Sequence, residues 1–376
     1  MSKHFICSVL LILSWSSYAN EQINDQAISQ TSNLPDPLVS DHTMLDNLVI
    51  LQYHHVSTQT PASTSIAPDK FAEHLAHLYR HFNVVDLSDA INALRAGNRL
   101  PNKSIAITFD DGYNNILHNA HPLLQKYEFP YTVFINPQRI DKDRNQLTWA
   151  EVQQMAQEQV TFANHTLDHL HLLNHEHSYG VKESEASWLS RVVRNITQAE
   201  ALIEAQLGYS LKYVAYPYGE YNTVLAQQLT EQGYVGFGQH SGAVSSQSDF
   251  SALPRFPAAG RYANINTLKV KLNSLAMPVL ANNVSSPVVT DGGFPSSMTL
   301  TLDTTDLQMH AINCFFQGSV QNKEINGSTI NVSFPDMFPI GRSRMNCTAP
   351  SKTYKGRFHW FSQPFFTPNA NSVFPD

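Results

Sequence analysis

A regular alternation of strand-like and helix-like segments between residues 48 and 276 most constrains the fold. Apolar, β-branched runs predict strands at 48–52, 84–87, 104–109, 131–135, 160–163, 212–216 and 235–237. Helical spacing or capping residues predict helices after Pro68, near 116–127, from Thr148, and near 183–206, 222–232 and 265–276. About seven such alternations predict parallel strands joined by crossover helices, in a closed or nearly closed sheet.

The composition changes after residue 276. Residues 277–297 are rich in Pro, Asn, Ser and Gly and show little periodicity, which predicts a linker. Residues 298–376 hold short aromatic and β-branched runs bounded by turn residues, which predict a small all-β sandwich. Its last twenty residues carry five clustered aromatic side chains, for which a sandwich core is favoured over a sugar-stacking face. They are Phe358, Trp360, Phe361, Phe365 and Phe366.

The first residues have the pattern of a secretory signal peptide. Lys3 precedes an apolar run over 5–15, and small residues at Ser17 and Ala19 suit cleavage, which defines 1–19 as the signal and 20–45 as a flexible leader. No later run reaches the ~20 apolar residues of a membrane span. Cleavage leaves two cysteines, Cys314 and Cys347, and an even pair in an exported chain predicts a disulfide in the periplasm or outside the cell.

Length and charge limit the class of function. The 376 residues suffice for two domains, and the net charge of −7 gives no reason to expect nucleic acid or an anionic membrane as a partner. Twelve of the 17 histidines fall between His54 and His177, so metal or acid–base chemistry is expected in that stretch.

Three fragments directly follow predicted strands. The first places Asp110 and Asp111 after the strand at 104–109, and the second places His165 and His169 after the strand at 160–163. Parallel α/β folds put their active sites at such strand ends, and two histidines with three residues between them commonly bind a divalent metal. An Asp-Asp-Gly sequence considered by itself is more often a turn than part of a functional site. The third fragment, Tyr-Pro-Tyr-Gly at 216–219, reads by itself as a turn.

Taken together and in this order, the three fragments resemble the motifs of the polysaccharide deacetylases, the NodB homology domain of carbohydrate esterase family 4. The resemblance covers roughly 47–275, and Tyr-His-His-Val at 53–56 also resembles the opening of the branch that deacetylates poly-N-acetylglucosamine. It implies a distorted (β/α)7 barrel over 46–276, followed by the β-sandwich.

The resemblance also implies roles for individual residues. Asp111, His165 and His169 are expected to hold Zn²⁺ or another divalent transition metal, with Asp110 as the catalytic base. The main-chain N–H of Tyr218, after Pro217, is expected to stabilise the oxyanion. Trp149 fits a pocket wall or, equally well, a core aromatic at a helix start.

The chain departs from the family pattern in two places. The third motif's arginine, which steadies the catalytic aspartate in the family, falls at Ala215, and we expect Arg255 to supply that guanidinium to Asp110. The late histidine that many relatives use as general acid is not found. His54 and His240 are the alternatives, with His54 slightly favoured because its motif matches.

These expectations define one leading function and two alternatives. The leading function is metal-dependent deacetylation of a glycan that contains N-acetylglucosamine, such as a chitin oligosaccharide or poly-N-acetylglucosamine. The first alternative is an esterase that removes O-acetyl groups from a polysaccharide at the same metal site. The second is a catalytically weak glycan-binding protein.

Overall fold

The fold is given by a computed structural model that describes residues 43–178, 181–289 and 294–375. The predicted signal peptide and most of the predicted leader lie outside these residues. The strands of the first part of the chain are β1 (Met44–Leu45), β2 (Leu48–Tyr53), β3 (His55–Val56), β4 (Ser65–Ile66), β5 (Asn83–Val84), β6 (Leu100–Pro101), β7 (Ser104–Phe109), β8 (Tyr131–Ile135), β9 (Val160–Asn164), β10 (His177–Ser178), β11 (Val181–Lys182), β12 (Tyr213–Ala215), β13 (Val235–Phe237), β14 (Ala243–Val244) and β15 (Phe256–Pro257).

The helices that connect these strands are amphipathic or begin at capping residues. They are α1 (Pro68–His81), α2 (Leu87–Arg95), α3 (His121–Lys126), α4 (Trp149–Ala156), α5 (Glu185–Leu207), α6 (Thr223–Glu231) and α7 (Ile265–Leu272). Helix α4 has the predicted capping box, because Thr148 accepts from the Glu151 N–H while the Glu151 side chain accepts from the Thr148 N–H. No helix among the described residues combines the length and the apolar character needed to cross a bilayer.

Parallel strands form the centre of a nine-stranded sheet. Its order is β13-β12-β9-β8-β7-β2-β14, with β15 beside β2 and β5 beside β7. Strands β2 and β7 are buried along their whole length, as expected for a sheet covered on both faces. The sheet curls into a half-barrel, and the carboxyl ends of β2, β7, β9 and β12 meet at one rim. The predicted α/β architecture is thus present. That the barrel has seven β/α units, as in a distorted (β/α)7 barrel, remains a prediction.

Two helical boundaries differ from the predictions. The predicted helix at 116–127 is a π-type turn over Ile116–Ala120 followed by α3, because Pro122 has no N–H to donate to the preceding turn. The predicted helix at 265–276 ends at Leu272. The chain then forms a short strand, β16 (Leu275–Ala276), which pairs with a strand near the C-terminus.

The C-terminal part is built of two antiparallel sheets around a core of its own. Its strands are β17 (Val279–Asn282), β18 (Ser297–Leu302), β19 (Asn313–Phe316), β20 (Ser319–Val320), β21 (Lys323–Asn326), β22 (Thr329–Ser333), β23 (Gly341–Pro350) and β24 (Phe358–Thr367). The predicted linker at 277–297 is wrong in part, because β17 within it pairs with β18. The boundaries of the domains remain predictions.

The predicted disulfide joins Cys314 and Cys347, which face each other across β19 and β23. Closing a loop of 33 residues removes entropy from the unfolded chain, worth about 3–4 kcal/mol in the chain-entropy account. Both cysteines are buried in the core of the C-terminal sheets.

The five clustered aromatic residues of this part mostly pack inward. Phe365 and Phe366 are buried, Phe361 packs against the C-terminal core, and only Phe358 is clearly exposed. The Trp360 ring contacts the Phe256 ring of the barrel, with 5.2 Å between centroids. This arrangement agrees with the favoured assignment of the cluster to core and interface, and it docks the β-sheet onto the barrel.

Candidate active site

The first pair of predicted site residues follows β7, and a buried ion pair fixes one of them. Asp110 and Arg255 are both fully buried, and the Arg255 Nη1 and Nη2 atoms donate to Asp110 Oδ1 and Oδ2 at 2.7 and 2.8 Å. Gln52 donates a third hydrogen bond to Oδ2 at 2.6 Å. The predicted contact between Arg255 and Asp110 is therefore present.

Neighbouring groups determine the charge of Asp110. Burial alone raises the pKa of this carboxyl, but the Arg255 guanidinium and the imidazoles of His165 and His54 outweigh burial and set the pKa at about 2. Asp110 is thus a carboxylate at neutral pH. Because a carboxylate with so low a pKa is a weak base, Asp110 can accept a proton only from a water molecule whose acidity the site has increased.

The second aspartate faces two histidines. Asp111 Oδ1 lies 3.2 Å from Nε2 of His165 and 3.2 Å from Nε2 of His169. The ligand atoms of the three residues lie within 4.8 Å of one another. The buried Asp111 Oδ1 and His165 Nε2 atoms have no regular hydrogen-bond partner, an arrangement that a bound cation would satisfy.

A main-chain contact settles the tautomer of His165. Its Nδ1–H donates to the Ala215 carbonyl oxygen at 2.7 Å, so the lone pair of Nε2 faces Asp111. Neutral imidazole with a free Nε2, together with a carboxylate, suits Zn²⁺ and similar transition metals. The residues present therefore fit the implied metal.

The loop after β9 is shaped by side-chain amides. The Asn164 side chain accepts from the Thr166 N–H at 2.8 Å, and the Asn136 side chain donates to the carbonyl oxygens of His165 and Thr166. The Thr166 hydroxyl in turn accepts from the His169 N–H at 3.1 Å. These bonds bring the two imidazoles together within one short loop.

Left-handed backbone conformations are concentrated at this site. Four non-glycine residues around it have positive φ: Asp111 at 73°, Thr166 at 69°, His169 at 65° and Tyr218 at 58°. Such conformations cost about 1–3 kcal/mol each and persist where the surrounding structure imposes them. Their presence on three separate loops agrees with a functional site.

The third motif lies beside the metal-binding residues. Tyr218 follows the buried Pro217 after β12, and its ring meets the His169 ring at a centroid distance of 4.7 Å. His171 stacks on the other side of Tyr218 at 3.9 Å, and Glu220 accepts a hydrogen bond from His171 Nδ1 at 2.8 Å. The fixed position of Tyr218 is compatible with the expected role of its N–H.

The two candidates for the general acid occupy different surroundings. His54 Nε2 lies 3.9 Å from Asp110 Oδ2, whereas His240 has no such contact with the two aspartates. Burial lowers the pKa of His54, and the charges of Asp111 and Asp110 oppose that effect. Burial and then the cations Arg344 and Arg255 lower the pKa of His240 to about 3. Only His54 faces the aspartates.

Trp149 begins α4 and packs partly buried against the core of the half-barrel, with its main-chain N–H donating to Asp141 Oδ1 at 3.2 Å. This position fits a core aromatic, and the pocket-wall role remains a prediction.

The structure adds residues that sequence inspection did not identify. Gln52 belongs to the strand before the 53–56 motif, and its side chain was not assigned to the site. Arg342, from β23 in the C-terminal part, donates to the Tyr218 carbonyl oxygen and to Gln239 Oε1, both at 3.0 Å. The C-terminal part therefore contributes to the wall of the site, which nothing in its sequence indicates.

One part of the chain matches the polysaccharide deacetylases. Residues 97–237 match the family model described as polysaccharide deacetylase. The match identifies a domain of that family within these residues, as the resemblance of the motifs implies.

Relatives and solved structures agree with this assignment. Over 210 residues the chain is 27% identical to YxkH of Bacillus subtilis, which is named as a polysaccharide deacetylase, covering 55% of this chain and 70% of that protein. It is 26% identical to the poly-β-1,6-N-acetyl-D-glucosamine N-deacetylase of Staphylococcus aureus, covering 54% of this chain and 71% of the relative.

The solved structure of a de-N-acetylase from Aggregatibacter actinomycetemcomitans superposes with a TM-score of 0.54 and 22% identity. The match covers 60% of this chain and all of that one. At this identity the likeness establishes the fold alone.

Proposed function

We propose that the protein is a metal-dependent deacetylase that hydrolyses acetamide groups of a glycan containing N-acetylglucosamine. The observation that carries the proposal is that two adjacent aspartates have different surroundings, one suited to binding a metal and the other to accepting a proton. Asp111 joins His165 and His169 in a donor set for a transition metal, while Asp110 is held as a carboxylate by Arg255. The sequence relationship to an N-deacetylase supports the amide as the bond that is cleaved.

The reaction needs a new C–O bond to the acetyl carbon and cleavage of its C–N bond. When bound, a divalent ion supplies positive charge that acidifies water and stabilises negative charge on the acetyl oxygen. In the proposal Asp110 takes the proton of the attacking water, and Arg255 with Gln52 holds the Asp110 carboxylate in place. The N–H of Tyr218 donates to the acetyl oxygen as charge develops on it.

The leaving amine requires a proton. We assign this role to His54, because its Nε2 lies 3.9 Å from Asp110 Oδ2. Burial lowers the pKa of His54 and outweighs the opposing charges of Asp111 and Asp110, so the imidazole holds a transferred proton only weakly and can pass it on. Burial, followed by the charges of Arg344 and Arg255, lowers the pKa of His240 to about 3, so we assign that residue to packing beneath the site.

The disulfide between Cys314 and Cys347 supports folding in an oxidising compartment, and we propose that the protein works in the periplasm or outside the cell. The same site could cleave an O-acetyl ester, since the ion and the base are common to both reactions. The chemistry of the acetyl linkage is therefore part of the test.

The deciding experiment measures acetate release from N-acetylglucosamine oligomers before chelation, after chelation and after Zn²⁺ is restored, in the wild type and in Asp110→Asn. We expect release that requires the metal and that Asp110→Asn reduces by at least about 100-fold. Release from O-acetylated glycans alone would identify an esterase. Binding of oligomers that survives chelation without any acetate release would identify a glycan-binding protein.

A further inference from the structure

Three cationic side chains contact one tyrosine, Tyr262, in the segment that precedes α7. Arg261 and Arg344 both donate to the Tyr262 hydroxyl oxygen, at 2.8 and 3.0 Å. The Lys271 ammonium lies over the face of the same ring, 4.3 Å from its centroid. We call Arg261, Tyr262, Lys271 and Arg344 the basic cluster.

The basic cluster has no negative charge of its own. Across 43–178, 181–289 and 294–375, neither arginine of the cluster nor Lys271 forms an ion pair with a carboxylate. Two other arginines do pair with carboxylates, Arg255 with Asp110 and Arg191 with Glu183. Three uncompensated cations are conspicuous in a chain whose net charge is −7.

Mutual repulsion is visible at the lysine. Burial, followed by the charges of Arg344 and Arg261, lowers the pKa of Lys271 to about 8. The hydrogen bond from this ammonium to the Pro257 carbonyl oxygen is long, at 3.5 Å. An anion placed among these groups would relieve the repulsion and supply a closer hydrogen-bond acceptor for the lysine.

The hydroxyl of Tyr262 points to the same kind of ligand. Because its oxygen accepts from two guanidinium groups, its own proton is left for a further acceptor. In the described part of the chain the hydroxyl has no acceptor for that proton. Two guanidinium groups, one ammonium and one hydroxyl therefore converge without a carboxylate among them, an arrangement that suits a carboxylate or phosphate group as ligand.

The position of the cluster links it to the catalytic rim. Arg344 and Arg342 are two residues apart on β23 and point to the same face of the strand, about 7 Å apart along it. Arg342 contacts the carbonyl oxygen of Tyr218, whose ring packs on His169. Two residues on one face of β23 thus contact the basic cluster and the loop of Tyr218, respectively.

We propose that the basic cluster binds an anionic substituent, a carboxylate or a phosphate, on the glycan that is deacetylated. This inference rests on the proposed function and narrows its substrate class to acidic glycans that contain N-acetylglucosamine. The C-terminal β-sheet, through Arg344, then contributes to substrate selection as well as to the wall of the site.

The test compares binding of three probes to the metal-loaded Asp110→Asn protein by calorimetry, so that no turnover intervenes. The probes are an N-acetylglucosamine tetramer, a tetrasaccharide alternating N-acetylglucosamine with glucuronate, and an N-acetylglucosamine tetramer carrying one 6-phosphate. We expect at least one acidic probe to bind about tenfold more tightly than the neutral tetramer at low salt, with the advantage shrinking as salt screens the charges. Which acidic probe gains identifies the carboxylate or the phosphate as the natural group.

Variants locate the effect. Lys271→Met, Arg344→Gln and the exposed Arg261→Gln are each expected to reduce the preference for the acidic probe, while Lys269→Met, on the exposed face of the same helix, keeps it. Thermal denaturation identifies any variant that fails to fold. Equal affinity of the Asp110→Asn protein for all three probes, or the same loss when Lys269→Met is added to it, would overturn the inference.

Acetate release by the wild type from the neutral tetramer reports on the proposed function separately. Deacetylation without a charge preference removes only the basic-cluster inference. A charge preference in binding without any deacetylation removes only the proposed function.

Discussion

Arg255 and Asp110 form a two-bond ion pair with no exposed surface on either residue, although they lie 145 positions apart in the chain. The guanidinium is held in turn by the Gly238 carbonyl oxygen at 3.0 Å and lies over the Phe134 ring. The pair therefore connects the end of β7 with the segment before β15. Its geometry leaves the Asp110 carboxylate little freedom to rotate.

We expect Arg255→Ala to reduce kcat/KM by about 100-fold or more, because a displaced base costs that much even when it is present. It should also lower the free energy of unfolding by about 3–5 kcal/mol, since Asp110 becomes an unpaired buried charge. Arg255→Lys should retain part of the activity and part of the stability, because lysine keeps the positive charge but cannot form the two-bond contact.

Steady-state kinetics and urea denaturation measure these effects, with Arg191→Ala as a control that breaks the partly exposed pair with Glu183. Full activity and full metal affinity in Arg255→Ala would refute the positioning role.

The neighbouring aspartates should respond differently to the same substitution. Asp111→Asn is expected to lose metal affinity, because it removes a charged ligand that faces His165 and His169. Asp110→Asn is expected to bind metal nearly as well as the wild type and to lose activity. Metal content after dialysis, measured alongside acetate release, separates the two, and identical metal loss in both variants would contradict the division of roles.

Gly236 is a position where any side chain collides with the main chain. A Cβ there would lie 2.0 Å from the Ser251 carbonyl oxygen and 2.5 Å from the Tyr216 hydroxyl, so β13 or its neighbour must shift. We expect Gly236→Ala to lower the free energy of unfolding by about 1–3 kcal/mol or more. Gly97→Ala is the matched control, because open space surrounds it and its only cost is about 1–2 kcal/mol for the left-handed backbone.

The C-terminal part should lose stability in acid through Asp306. Burial tends to raise the pKa of Asp306, but hydrogen bonds with Thr353, Ser351 and His359 outweigh it and hold the pKa well below its usual range. A lowered pKa means that the stabilisation is complete above the unfolded value of about 3.9 and disappears as the pH falls through the folded value.

Denaturant midpoints between pH 2 and 6 test this expectation. Asp306→Asn should be less stable than the wild type at pH 6, and the difference should shrink towards pH 2. A difference that stays constant over this range would show that Asp306 does not contribute through its charge.

Much of the fold and the donor set could be predicted because they depend on local sequence. Period-two and helical patterns identified the strands that end in the three motifs, and those strand ends meet at one rim by the rules of parallel sheets. The contact between Arg255 and Asp110 was also expected. The π-type turn before α3 could not be predicted, because the effect of Pro122 on the preceding turn depends on how the segment packs.

Other parts of the site depend on register or on docking of the two parts of the chain. The Gln52 side chain reaches Asp110 because Gln52 lies opposite Thr108 in the pairing of β2 with β7, a register that apolar patterning does not determine. Arg342 reaches Tyr218 only because the C-terminal sheet packs on the barrel through contacts such as that of Trp360 with Phe256. Neither relation is encoded within a short stretch of sequence.

The bond between His165 and the Ala215 carbonyl oxygen has a consequence for how such chains diverge. A main-chain oxygen supports the histidine whatever side chain stands at 215, so that side chain is free to change once another residue supplies the guanidinium. The guanidinium next to the first aspartate can then keep its place in the structure while the arginine that supplies it stands at a different position in the sequence. A search pattern that demands arginine in the third motif would discard such chains, whereas one that asks for a buried guanidinium against the first aspartate would retain them.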